Sequence, residues 1–174
     1  MDTVTVENNK LAPEFTLPDL DGQTHNLADY RGVIVVINFW SAECQWAERA
    51  DKEILVMLKD WGGKVVMLSI ASNANEPVEM LKEAATARAI PLVLHDAGQR
   101  IARLYDAQFT PQIFVLDGEG ITQYQGAFDD VTFRQPEATR NYLREAVDAL
   151  LDGKEPLVDQ APPYGCTVVY YRPD

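Results

Sequence analysis

A layered α/β sheet is the fold class that this chain predicts, and three observations carry it. Strand-like apolar runs alternate along the sequence with helix-like amphipathic ones. The run Val33-Ile-Val-Val-Ile-Asn-Phe39 is apolar on both faces, which suits a central strand covered on either side. With 174 residues, 47% of them hydrophobic, the chain has enough material for one well-filled core.

Phe15–Leu17 and Thr24–Leu27 read as short strands about the Asp21-Gly22 turn, a common hairpin signal. Val33–Phe39 is the central strand. From Cys44 to about Asp60 runs the first long helix. Its Ala47, Ala50, Ile54, Leu58 and Trp61 recur at steps of three and four and so share one face, and Gly62-Gly63 closes it. Lys64–Ile70 is the next strand. A helix then starts at Asn75 or at Glu76-Pro77, with the proline in its first turn, and runs to about Ala89. Pro91–Leu94 is a strand and Gly98–Tyr105 a short helix. Phe109-Thr-Pro-Gln-Ile-Phe-Val-Leu-Asp117 is a buried strand segment entered through Pro111, whose missing N–H confines it to the strand's beginning. Its core, Gln112–Leu116, joins Ile121–Tyr124 through Asp117-Gly-Glu-Gly120. The last helix begins at Pro136-Glu137, carries Tyr142, Leu143, Ala146, Val147, Leu150 and Leu151 as an apolar stripe, and ends at Gly153. From Lys154 onward, Pro156, Pro162, Pro163 and Pro173 predict an extended tail, and that tail delivers Cys166. The organisation is therefore one domain over residues 1–153, with the tail, 154–174, packed on it.

Composition narrows the function classes. A net charge of −12 without any Lys/Arg cluster repels nucleic acid and anionic membrane surfaces. No apolar run approaches the roughly 20 residues of a membrane span. The first ten residues lack the basic region and apolar core of a leader, so a cytoplasmic location is the expectation. Two cysteines in a reducing compartment are more often catalytic or redox-sensing than structural. Neither His25 nor His95 has ligand spacing to them, so no metal and no cofactor are expected.

Cys44 stands where the central strand runs into a helix start. There the first N–H groups and the positive end of the helix dipole favour thiolate, the nucleophilic form. Glu43 and Glu48 oppose that charge and Arg49 supports it.

Phe39-Trp40-x-x-x-Cys44, followed by Thr110-Pro111 and Phe114-Val-Leu-Asp117, resembles the thioredoxin-like redoxins. The opening Ala12-Pro13-x-Phe15-x-Leu17 with Asp21-Gly22 and Leu27 is similar to that of peroxiredoxin-related proteins of the alkyl hydroperoxide reductase and thiol-specific antioxidant superfamily. Gly126-x-x-Asp129-Asp130 and the tail Gly165-Cys166-Thr-Val resemble one peroxiredoxin-like branch. The resemblance implies a thioredoxin-like fold with a central mixed sheet, helices on both faces, an N-terminal hairpin extension and the extended C-terminal tail. It also implies a cis bond before Pro111, close to Cys44. Thr110 and Pro111 would shape the site, Ser41 would stand in the place of the peroxidase threonine, and Trp46 would form part of a docking rim. Three departures matter. Cys44-Gln-Trp-Ala47 lacks the second cysteine of Cys-x-x-Cys, Ile37 occupies the place of the peroxidase proline, and Ala127-Phe128 stand where the branch often carries arginine.

The reading that follows is a peroxiredoxin-like thiol oxidoreductase. Peroxide would oxidise Cys44 to sulfenic acid, Cys166 would condense with it within one chain or across a homodimer, and an external thioredoxin-like dithiol would reduce the disulfide. A distant resolving cysteine generally reacts after local unfolding, so the reduced chain can hold the two sulfurs well apart. The first alternative is a monothiol reductase acting on disulfide substrates. The second is a redox-inert binding module on the same fold.

Overall fold

The computed structural model describes residues 6–172. In chain order the elements are β1 Thr16–Pro18, β2 Thr24–Asn26, β3 Ile34–Trp40, α1 Gln45–Trp61, β4 Val65–Ala71, α2 Val78–Arg88, β5 Val93–His95, α3 Arg100–Leu104, β6 Phe109–Thr110, β7 Gln112–Leu116, β8 Thr122–Gly126, α4 Tyr142–Leu151, β9 Gln160–Ala161 and β10 Cys166–Thr167. Single 3-10 turns cover Leu27–Tyr30 and Gly62–Lys64.

The main sheet is mixed, with strand order β5-β4-β3-β7-β8-β9. β3 lies at its centre, parallel to β4 and antiparallel to β7, and all seven of its residues are buried. Side chains alternate between the two faces of a strand, and the core divides accordingly. Ile34, Val36 and Trp40 pack under Ala47, Ala50, Ile54 and Met57 of α1 and Leu143, Ala146 and Val147 of α4. Val35, Ile37 and Phe39 pack on the other face with Phe15 and Leu17 of the N-terminal segment and Ile101 and Ala102 of α3. Helices thus cover both faces, and β1 and β2 form the separate N-terminal hairpin, as expected. No helix among the described residues is long and apolar enough to cross a membrane.

Several boundaries differ from the sequence expectation for local reasons. α1 begins at Gln45, and Cys44 is its N-cap with an extended backbone, ψ 117°. Pro77 also caps rather than enters its helix, with ψ 160°, so Glu76 lies outside α2 and is free to turn inward. β5 is displaced to Val93–His95, and α3 is shorter than expected because Gln99 precedes it in the left-handed region at φ 60°. The last helix starts at Tyr142 instead of Pro136. The Asn141 side chain accepts the Arg144 N–H at 2.8 Å, a strong start signal. The Asp130 carboxylate meanwhile holds the preceding loop in a non-helical path by accepting the backbone N–H groups of Thr139, at 2.9 Å, and Arg140, at 3.3 Å.

The tail is extended, as expected, and it is also sheet-bound. β9 adds to β8 in parallel, where Gly126, at φ 131°, leaves no side chain to collide with the Ala161 carbonyl. β10 pairs antiparallel with β6, placing Cys166 opposite Thr110. Pro173 lies outside the described residues.

Candidate functional site

The site forms where β3 ends. Its outgoing loop, Ser41-Ala-Glu43, must turn the chain from the sheet into α1 while keeping its polar groups satisfied, since a buried unpaired donor costs about 1–3 kcal/mol. A carboxylate does this. Glu76, 5% exposed, accepts from Ser41 Oγ at 2.5 Å, from the Ala42 N–H at 2.7 Å and from Asn73 Nδ2 at 3.0 Å. The Arg88 guanidinium closes the other side of the loop by donating to the carbonyls of Ser41, at 3.1 Å, and Ala42. Cys44 is thereby fixed at the mouth of α1, 2% exposed.

Thr110–Pro111 is the one cis bond among the described residues, and the loop it belongs to faces the helix start. The Cys44 thiol donates to the Thr110 carbonyl at 3.2 Å. The same residue pairs with Cys166 across the β6–β10 ladder. Gly165 makes that approach possible, because a Cβ there would overlap the Thr110 carbonyl group. Cys166, half-buried, stands beside Cys44, with which it lines one cavity and packs against one core cluster, and the backbone amides of Gln45 and Trp46 at the start of α1 lie near it. The expectation that the reduced chain can keep the sulfurs apart is thus overturned. β-Pairing on one side and a clasp on the other hold the tail in place. The clasp is built on Gln99, 1% exposed, whose Nε2 donates to the Val169 carbonyl at 2.7 Å and whose Oε1 accepts the Tyr171 N–H at 2.7 Å.

Burial pushes the Cys166 thiol up to about 11, and the neighbouring Cys44 adds to the rise. The N–H groups of Trp46 and Gln45 pull the other way and are outweighed. A cavity of about 130 Å³ opens beside both sulfurs, lined by Ser41, Glu43, Asn73, Asn75 and Glu76.

Beneath the site lies Asp51, 1% exposed, accepting from Trp40 Nε1 at 2.8 Å and Arg88 Nη1 at 3.3 Å. Burial outweighs both partners and pushes its carboxyl from 3.8 up to about 6. The folded chain therefore holds this proton to a higher pH than the unfolded one, so stability from this group is lost as pH rises from about 4 to about 6. Asp51→Asn is expected to remove a pH-dependent loss of roughly 2 to 3 kcal/mol between pH 4 and pH 7. Urea midpoints of wild type and variant at both pH values check this, and equal slopes against pH would refute it.

The structure brings five of the six expected residues into one constellation: Cys44, Cys166, Ser41, Thr110 and Pro111. Ser41 is 2% exposed and is spent on the Glu76 carboxylate, so it shapes the loop and lines the cavity. Trp46 stands at the edge, half-buried, edge-on to the Tyr164 ring at 5.2 Å and close to Pro111. Arg49, expected to support a thiolate, is drawn away to Asp129 at 2.6 Å. Sequence reasoning missed Glu76, Arg88, Asp51 and Gln99. Only Pro77 hinted at one of them, since a proline that begins a helix frees the residue before it.

Residues 9–125 match the model of the AhpC/TSA family. The thiol-disulfide oxidoreductase ResA of Geobacillus kaustophilus is 32% identical over 114 residues, an alignment covering 63% of each chain, so the match spans less than two thirds of that relative. The crystal structure of an uncharacterized conserved protein from Geobacillus kaustophilus superposes with a TM-score of 0.88 at 28% identity, covering 97% of this chain and 94% of the other. The thioredoxin domain of a thiol-disulfide oxidoreductase from Bacteroides vulgatus superposes with a TM-score of 0.62 at 19% identity over 75% of this chain and 93% of its own. The last likeness is one of fold, and the fold is thioredoxin-like.

Proposed function

We propose that this chain, which belongs to the AhpC/TSA family, is a thiol-disulfide oxidoreductase whose redox centre is the pair Cys44 and Cys166. The observation that carries the reading is the pairing of Cys166 with Thr110, which sets its thiol against Cys44 beside Pro111. A tail cysteine thus stands in for the missing second cysteine of Cys-x-x-Cys. In the reduced pair both cysteines are free of any disulfide. A substrate disulfide accepts two electrons and leaves as two thiols, while Cys44 and Cys166 become joined by a disulfide. An external dithiol of the thioredoxin type then restores the pair. Similarity to ResA supports disulfide substrates over peroxide, as does Ile37 in the place of the peroxidase proline. One observation favours peroxide as a second oxidant: the cavity of about 130 Å³ beside the sulfurs admits a small molecule.

The test is oxidation of the reduced protein, in parallel, by a stoichiometric peptide disulfide and by hydrogen peroxide. Peptide mapping then locates the product. A Cys44–Cys166 bond formed faster with the disulfide is the expected result. A faster reaction with peroxide favours the second reading, and free thiols after both treatments overturn the two-cysteine centre.

A further inference from the structure

We infer that the protein exchanges disulfides with the outside through Cys166, and that Cys44 is the internal partner of that exchange. This rests on the two-cysteine reading above and adds the direction in which the site faces. Cys44 is 2% exposed, covered by β10 and held to the Thr110 carbonyl at 3.2 Å. Cys166 is the half-buried residue of the two, and both line the same opening. Thiol–disulfide exchange requires the attacking sulfur to approach the sulfur it will bond, so access selects which end of a disulfide reacts. The geometry also suits the helix start to this division. The backbone amides of Gln45 and Trp46 lie near Cys166 and favour a charged sulfur there, on the residue that alternates between disulfide, mixed disulfide and thiol during exchange.

Reduction of the oxidised centre then runs as follows. A thiolate of the external dithiol attacks the Cys166 sulfur and forms a mixed disulfide with it. The Cys44–Cys166 bond breaks, its electron pair stays on Cys44, and that thiolate takes a proton from solvent. The donor's second thiolate attacks the donor's first sulfur and releases Cys166, which is protonated in turn. Two electrons have passed from the donor dithiol, which leaves as a disulfide, to the pair.

One further feature fits this order. The tail is clasped on both sides of Cys166, by the Ala161 pairing upstream and by Gln99 downstream, so Cys166 presents its sulfur without leaving the fold.

The experiment uses the wild-type chain, oxidised, and a thioredoxin whose second active-site cysteine is replaced by serine, so that the mixed disulfide is trapped. Peptide mapping is expected to find the donor on Cys166, and a donor found on Cys44 overturns the inference. A second arm titrates reduced Cys44→Ser and Cys166→Ser with neutral dithiodipyridine, natively and in urea. Native Cys44→Ser is expected to react at least tenfold faster than native Cys166→Ser, with the two equal in urea. Equal native rates in folded variants overturn it as well. Oxidised wild type lacking any Cys44–Cys166 bond would instead refute the two-cysteine reading, and the titration would still report which sulfur is open.

Discussion

Gly165→Ala slows formation of the Cys44–Cys166 disulfide by at least tenfold while leaving the fold intact. The residue sits in the step between the Tyr164 ring and β10, where the tail backbone passes directly over the Thr110 carbonyl. An alanine Cβ would overlap that oxygen and lie 2.7 Å from its carbon, both backbone atoms of the cis-proline loop. Neither can yield as a flexible side chain would, so the tail must lift. Overpacking of this kind costs about 1–3 kcal/mol, which the many contacts elsewhere absorb. The redox centre has less tolerance, because a disulfide forms only with Cα atoms within roughly 7 Å and Cβ vectors suitably aimed. A shift of even an ångström removes Cys166 from its register opposite Thr110. Quenched alkylation after a stoichiometric oxidant measures the rate. A rate equal to wild type would mean that the tail adjusts locally and that the Gly165 approach does not position Cys166.

Glu76→Ala carries the largest expected loss of stability, about 3 kcal/mol. The carboxylate is 5% exposed and receives three donors, two of them in the loop that leads into Cys44. Alanine leaves Ser41 Oγ and the Ala42 N–H without their acceptor in a buried setting. Hydrogen bonds to charged groups are worth about 1.5–3 kcal/mol each, partly recovered when water enters the vacated space. For a chain of this length the loss corresponds to roughly 10 °C in Tm. Glu76→Gln keeps one acceptor oxygen but turns an NH2 group toward other donors, so it should fall between wild type and alanine. Thermal unfolding of the three proteins, all reduced, orders them. A loss under about 1 kcal/mol for alanine would show that water replaces the carboxylate. Because Ser41-Ala-Glu43 leads directly to Cys44, the alanine variant is also expected to expose that thiol to alkylation at neutral pH. Wild type keeps it shielded.

Much of the architecture is local in origin and was therefore legible from residues alone. Val33–Phe39 is apolar on both faces but for Asn38, which predicts a strand covered on two sides, and β3 is one. The stripe from Ala47 to Trp61 and the stripe from Leu143 to Val147 dictate amphipathic helices, and both pack as such on one core. The family resemblance carried by Phe39-Trp40-x-x-x-Cys44 and Thr110-Pro111 implied that Cys44 meets a cis proline at a helix start, and it does. Boundaries were less legible where a cap competes with a breaker. Pro136 looks like a helix start, yet Asn141 captures the Arg144 N–H and Asp130 pins the residues between. What only the tertiary structure decided is the completion of the site. Cys166 lies 122 residues from Cys44 in sequence (166 − 44), and no periodicity links them. They meet because β10 finds unpaired backbone groups on β6, Gly165 allows the close passage, and Gln99 anchors the far end. Glu76 and Arg88 likewise reach the Cys44 loop only because parallel pairing of β4 with β3 carries α2 to the same end of the sheet. A sequence specifies the period of each element through backbone geometry that spans a few residues. The contacts between distant polar groups depend on how those elements are stacked, and that is fixed by burial over the whole chain.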